Sequence, residues 1–154
     1  MTTILEGSQP SETSLLRIGR REHVDFPTWG VRRLRAKVDT GAYSSALGVV
    51  SWELIEQPSE TLARFTLQVC SSKHSRMYSI EAPILGFTTV RSSTGCRQRR
   101  PVIETAVQLG SLVRPVRLTL TDRSHMRCRM LLGRQALAGW FLVDVQGKDL
   151  LQRR

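Results

Sequence analysis

A chain of 154 residues with 40% apolar and 23% charged side chains is the size of one folding unit, which excludes two independently packed domains and a mostly disordered polymer. Lys and Arg number 23 against 13 Asp and Glu, a formal charge of +10, and all but three of the cations are Arg, so the partners that charge favours are nucleic acid, an anionic membrane surface or acidic peptide. Three cysteines without a CxxC pair, no apolar run near the ~20 residues of a membrane span and no basic-then-apolar leader argue against a disulfide framework, a membrane protein and a signal peptide, and predict a cytoplasmic protein.

In chain order, residues 1–14 are polar and aperiodic and read as a flexible N-terminal arm. The domain is expected over residues 15–147, followed by a basic C-terminal tail over residues 148–154. Short apolar runs punctuated by Gly, Pro and Ser predict strands at Leu15–Gly19, Leu34–Val38, Ala63–Val69, Met77–Pro83, Val102–Leu109 and Val113–Thr121. The last is strict after Pro115: Val116, Leu118 and Leu120 fall on one face and Arg117, Thr119 and Thr121 on the other, the period of a half-buried strand. Met130–Leu132 reads as an apolar strand, Arg134–Gly139 as a short helix and Phe141–Val145 as a closing strand, so the class is all-β.

One segment carries chemistry. Leu34, Ala36 and Val38 alternate with Arg33, Arg35 and Lys37, and the strand delivers Asp39 at its end, followed by Thr40, Gly41 and Ala42. Thr40 can bond locally and Gly41 permits a tight turn or a close approach of substrate, so the carboxylate is held on a loop. Asp, Thr and Gly are also ordinary turn residues, and the triplet alone does not separate a catalytic loop from a surface turn. Two carboxylates sharing one proton can serve as base toward water and acid toward a carbonyl. The chain has one Asp-Thr-Gly, so that chemistry requires a second copy across a twofold axis.

A second signal follows at Met130-Leu131-Leu132-Gly133-Arg134-Gln135-Ala136-Leu137. An apolar strand, Gly-Arg and a helix after the Asp-Thr-Gly resemble the paired signatures of retropepsin-like peptidases. With Ile18–Glu22, Ala36–Ala42, Ser44–Leu47, Arg99–Thr105 and Leu118–Arg123, the chain resembles the RimB-type family, often labelled putative ATP-dependent zinc proteases, from about Leu15 to Asp144. The resemblance implies a retropepsin-like closed β-barrel with one short C-terminal helix, working as a homodimer. It implies an aspartic-type peptidase with Asp39, Thr40 and Gly41 at the catalytic centre, and Ala42, Gly133 and Arg134 as structural motif residues. For RimB members it further implies hydrolysis of poly-α-glutamate tails made by a RimK-type glutamate ligase. The chain departs from the family pattern at Tyr43, where Arg is usual, and at Gln98, where Glu is usual, which bears on substrate rather than on Asp39.

An acidic tail gives the Arg excess a purpose, because guanidinium forks grip carboxylates in pairs. The candidate substrate-binding residues are Arg35 and Lys37 on the strand to Asp39, and Arg91, Arg99 and Arg100 around a loop at Ser92–Gly95 that covers the site. Arg100 falls in the family's Arg-Pro-Val-Ile segment; Arg35 and Lys37 read equally as a solvated strand face. Arg134 is assigned to holding the dimer or the helix. The competing reading is a non-catalytic retropepsin-like module that binds acidic peptide or nucleic acid.

Other signals are weaker. Cys70-x3-His74 and His125-x2-Cys128 could supply zinc ligands only if two strand ends met, and no metal is expected. No phosphate-binding Gly-rich Lys loop is present, so no cofactor is expected. Trp29, Trp52 and Trp140 are too dispersed for a stacking platform, so nucleic acid is expected to bind only non-specifically, through net charge.

Overall fold

The computed structural model describes residues 15–91, 94–123 and 125–151, so the expected arm at residues 1–14 and the end of the expected tail lie outside the described residues. The strands are β1 (Leu16–Gly19), β2 (Arg21–Phe26), β3 (Val31–Val38), β4 (Ser45–Gly48), β5 (Ser51–Glu56) and β6 (Thr61–Cys70). They continue as β7 (Ser75–Arg91), β8 (Arg97–Leu109), β9 (Leu112–Thr121), β10 (Met130–Leu132) and β11 (Phe141–Asp144), with one helix, α1 (Arg134–Leu137).

Six strands close a barrel in the order β2, β3, β10, β4, β9, β8, completed by a β2–β8 pairing at Asp25 and Gln108. Alternation explains its filling: Leu34 and Ala36 of β3, Leu118 and Leu120 of β9 and Met130 and Leu132 of β10 are essentially inaccessible to solvent. Each large apolar side chain so buried stabilises the fold by roughly 1.5–3 kcal/mol. Helix α1 stops after Leu137, shorter than expected, because Gly139 turns the chain at φ 81° toward β11. β1 and β11 form a separate parallel pair, Leu16 opposite Phe141 through Gly19 opposite Asp144.

β7 serves two sheets. Its first half pairs with β6 from Cys70–Ser75 to Leu62–Pro83; its second half pairs with β8 from Ile84–Ile103 to Arg91–Arg97. A bulge between Ile84 and Gly86 marks the transfer, consistent with the bend that an unpaired residue puts in a strand. Trp29 stacks on Phe26 at 4.9 Å and meets Phe65 of β6 edge-on at 5.5 Å, tying the flanking β5–β6–β7 sheet to the barrel.

Two features of β2 shape its surroundings. Glu22 is fully buried, and its carboxylate accepts the N–H groups of Gly19 at 2.9 Å, Leu150 at 2.9 Å and Leu151 at 3.3 Å. The packed chain therefore continues beyond residue 147, the expected end of the domain, to Leu151. Between Val24 and Phe26 the β2–β3 register slips, so that Asp25 faces both Arg32 and Arg33. Arg33 adopts φ 61°, and its backbone N–H donates to Asp25 Oδ1 at 2.8 Å. Among the described residues no helix is long and apolar enough to cross a membrane.

Candidate active site

The loop after β3 is built from its own backbone and from β10. Asp39 donates its N–H to Leu132 O at 2.9 Å, which fixes the start of the loop against the barrel. Asp39 Oδ1 accepts the Gly41 N–H at 3.0 Å, and Ala42 N–H returns to Asp39 O at 3.3 Å. The carboxylate is half-buried while Thr40 and Gly41 are exposed. The turn thus presents Asp39 at an open face, held by two backbone–backbone hydrogen bonds and by one from backbone to its carboxylate.

The second signature locks onto the first. Arg134 N–H donates to Ala42 O at 2.8 Å and Gln135 N–H to Tyr43 O at 2.9 Å, so the first turn of α1 caps the 42–43 backbone. The Arg134 guanidinium donates to Thr40 O at 3.0 Å and sits 6.0 Å from the Tyr43 ring centre. Gly133 N–H donates to the buried Ser45 hydroxyl at 3.0 Å. A Cβ at Gly133 would fall 2.6 Å from Ser44 O and 2.7 Å from Tyr43 O, so only glycine admits this approach.

One arginine acts electrostatically on the Asp39 carboxylate, and a second stands next to that arginine. Arg123, in the loop after β9, has its pKa pushed down by burial, an effect opposed by Cys128 and Asp39. Arg100 of β8 is likewise lowered, first by burial and then by repulsion from Arg123. The Arg100 guanidinium donates from Nε and Nη2 to Gln98 Oε1 at 3.3 and 3.0 Å. Arginine stays charged throughout the ordinary pH range, so two partly desolvated cations side by side form a place where a carboxylate is favoured. Arg123 carries no motif of its own in the sequence and closes the Leu118–Arg123 segment. Its signal was Gly48, where a Cβ would overlap the Arg123 Cβ and Arg129 O, so the loop can close down only over a glycine.

The other expected contacts separate. In the β7–β8 hairpin, Arg91 pairs across to Arg97, Thr89 to Arg99 and Thr88 to Arg100. Alternation puts Arg97 and Arg99 on the face opposite Gln98 and Arg100. Arg99 lies over the Phe87 ring at 3.9 Å. Lys37 is exposed two residues before Asp39. Arg35 lines a concave site with Ser71, Ser72 and Arg129, whose lining includes neither Arg100 nor Arg123. The loop expected at Ser92–Gly95 is described only at Thr94 and Gly95.

Of the zinc candidates, Cys70 and His125 reach one concave site, but among the described residues no three His, Cys, Asp or Glu side chains come close enough to hold a metal ion. Cys70 Sγ instead lies 3.8 Å from Ser75 Oγ. The donor set does not fit a structural or catalytic zinc site, which needs at least three protein ligands.

A family model described as "RimB-like: Retropepsin-like aspartic endopeptidase RimB" matches residues 17–154. A protein named probable alpha-L-glutamate ligase from Shewanella pealeana is 35% identical over 127 residues, 82% of this chain and 28% of that one. A protein of the same name from Parasynechococcus marenigrum is 33% identical over 134 residues, 87% of this chain and 29% of its own length. The chain therefore spans less than a third of these curated relatives. The crystal structure of a Legionella pneumophila protein of unknown function superposes with a TM-score of 0.72 at 28% identity, covering 89% of this chain and 98% of that one. With its closed barrel and its interlocked Asp39 and Gly133–Arg134 loops, the chain belongs to the RimB-like family of retropepsin-like aspartic endopeptidases.

Proposed function

We propose that the protein is an aspartic-type peptidase, active as a homodimer with one Asp39 per protomer, that hydrolyses acidic, poly-α-glutamate-like peptide. The observation that carries this reading is Asp39 held at the loop by the Gly41 N–H and by the interlocked Gly133–Arg134 segment, with the charge of Arg123 acting on it and Arg100 next to Arg123. The curated relatives support the polymer: proteins named for ligating α-linked glutamate carry a segment similar to this domain within much longer chains.

Dimerisation is supported by the exposure of Thr40, Gly41 and Tyr43 at the loop. β11 adds Leu142, 57% exposed, and the residue just after it, Val145, is 76% exposed. Exposed apolar side chains such as these suit burial against a second copy.

In the proposed reaction the two Asp39 carboxyl groups share one proton. The ionised one takes a proton from water as its oxygen adds to the scissile carbonyl carbon, and the protonated one gives its proton to the carbonyl oxygen. The resulting tetrahedral diol collapses as a proton passes to the amide nitrogen, the C–N bond breaks, and an acid and an amine leave. Arg100 and Arg123 hold a side-chain carboxylate of the substrate next to the reacting bond. Lys37, and Arg91 and Arg99 at the hairpin, are assigned to the outer approach.

The test is incubation of purified protein with oligo-α-glutamate, oligo-γ-glutamate and a neutral peptide of equal length, read by mass spectrometry. Shortening of the α-linked acidic peptide alone is expected. Tight binding without any product would instead identify a binding module.

A further inference from the structure

The outer face of β3 carries a basic groove that the peptidase reading does not use. Two adjoining concave sites, of about 320 and 420 Å³, share Arg35 and the 70–72 tip of the β6–β7 hairpin. Arg127 and Arg129 line the first; Arg32, Arg33 and Arg76 line the second. No Asp or Glu lines either one. Among the described residues, none of Arg32, Arg33, Arg35, Arg76 or Arg127 is ion-paired. Arg129 donates one guanidinium nitrogen to Gln68 Oε1 at 2.9 Å, while its other terminal nitrogen is buried without a partner.

The backbone is bent to make this surface. A regular strand would turn Arg32 and Arg33 to opposite faces. The β2–β3 bulge, with Arg33 at φ 61° and its N–H held by Asp25, leaves both exposed. Left-handed backbone at a non-glycine residue costs of order 1–3 kcal/mol, and bulges commonly re-aim side chains.

We infer that this groove is an exosite for an extended acidic peptide, gripping carboxylates distant from the bond cut at Asp39. Carboxylates match the guanidinium forks, whereas single-stranded nucleic acid also asks for exposed rings on which bases stack. The groove has Tyr78 but no tryptophan, and Trp29 is engaged with Phe26 and Phe65. Arg33 precedes Asp39 by six positions on the same strand, about 20 Å of extended chain. An acidic peptide of about six residues would span that distance, so short peptides engage only the loop and long ones engage both. The length dependence of cleavage rests on the peptidase reading; binding in the groove does not.

The experiment therefore uses the full chain carrying Asp39→Asn, with fluorescein-labelled oligo-α-glutamate of four and of twelve residues, followed by anisotropy at 0.15 M salt. Arg32→Ser with Arg76→Ser is expected to weaken the twelve-residue peptide at least tenfold and leave the four-residue peptide unchanged. Arg76→Ser alone should show a smaller loss of the same kind. Arg17→Ser with Arg117→Ser removes the same charge elsewhere and should change both peptides less than twofold. Equal weakening by the two double variants, or none by the groove variant, would overturn the exosite, as would a twelve-nucleotide oligouridylate that binds more tightly than the peptide. If the groove binds as expected but wild-type protein releases no product, the peptidase reading fails and the exosite stands.

Discussion

The guanidinium of Arg134 donates a hydrogen bond to the Thr40 carbonyl at 3.0 Å across 94 positions of sequence. It joins the helix after β10 to the loop that carries Asp39, so the two signature segments act as one structural unit. Arg134 therefore braces the candidate catalytic loop through its backbone.

Replacing Arg134 with Ala should lower kcat by about 10- to 100-fold, since a small misplacement of a reacting group is expensive. The bond is exposed, so the stability loss should stay below about 1 kcal/mol. Steady-state kinetics beside thermal denaturation checks this, and Arg134→Lys should recover part of kcat. A large fall in Tm with unchanged kcat would contradict the bracing role.

Gly133→Ala should act on the fold itself. The added Cβ meets the Ser44 and Tyr43 carbonyl oxygens at 2.6–2.7 Å, and backbone there cannot swing aside as a side-chain end would. A loss of about 1–3 kcal/mol is expected from forced overpacking, measurable by urea unfolding.

Glu22→Ala removes the acceptor for three backbone N–H groups, two of them at Leu150 and Leu151. Leaving buried amides without partners should cost about 2–3 kcal/mol and free the chain after residue 147. Limited proteolysis should then cut between residues 147 and 151 faster than in wild type.

His23 should make stability depend on pH. Its pKa is lowered below 6.5, first by burial, which Asp149 at 3.3 Å opposes and Arg33, Arg35 and Arg21 reinforce. The close carboxylate would by itself raise the value, but desolvation and three cations act against it. The unfolded chain binds the proton more readily, so this contribution is fully present above pH 6.5 and is lost as pH falls through the folded-state value. Urea midpoints measured from pH 7.5 to pH 5 should fall more steeply for wild type than for His23→Gln.

The parts of the fold written in alternating apolar runs were legible. Leu34, Ala36 and Val38 are buried as the period required, and Val116, Leu118 and Leu120 likewise. β2 was not legible, because its inward positions include Glu22, a charge that makes sense only once the 19 and 150–151 backbones are seen around it. β5 hid for the opposite reason: it is mostly exposed, and its pairing with β6 leaves no apolar face to read. β8 begins at Arg97, earlier than expected, since Arg97–Arg100 are held as strand by β7 rather than by burial.

That the two glycine-bearing loops of the candidate site belong together was legible, because local geometry restricts residue type there. Arg123 was not, because its place beside Asp39 depends on a loop closing over Gly48, a contact between segments far apart in sequence. The doubled Arg32–Arg33 face was hidden as well, since a bulge leaves no period of its own.

The most direct measurement compares wild type with Asp39→Asn on oligo-α-glutamate at equal protein concentration, counting released glutamate units by mass spectrometry and confirming equal Tm. The account predicts steady product from wild type and none from the equally folded variant. Equal product from both would contradict it.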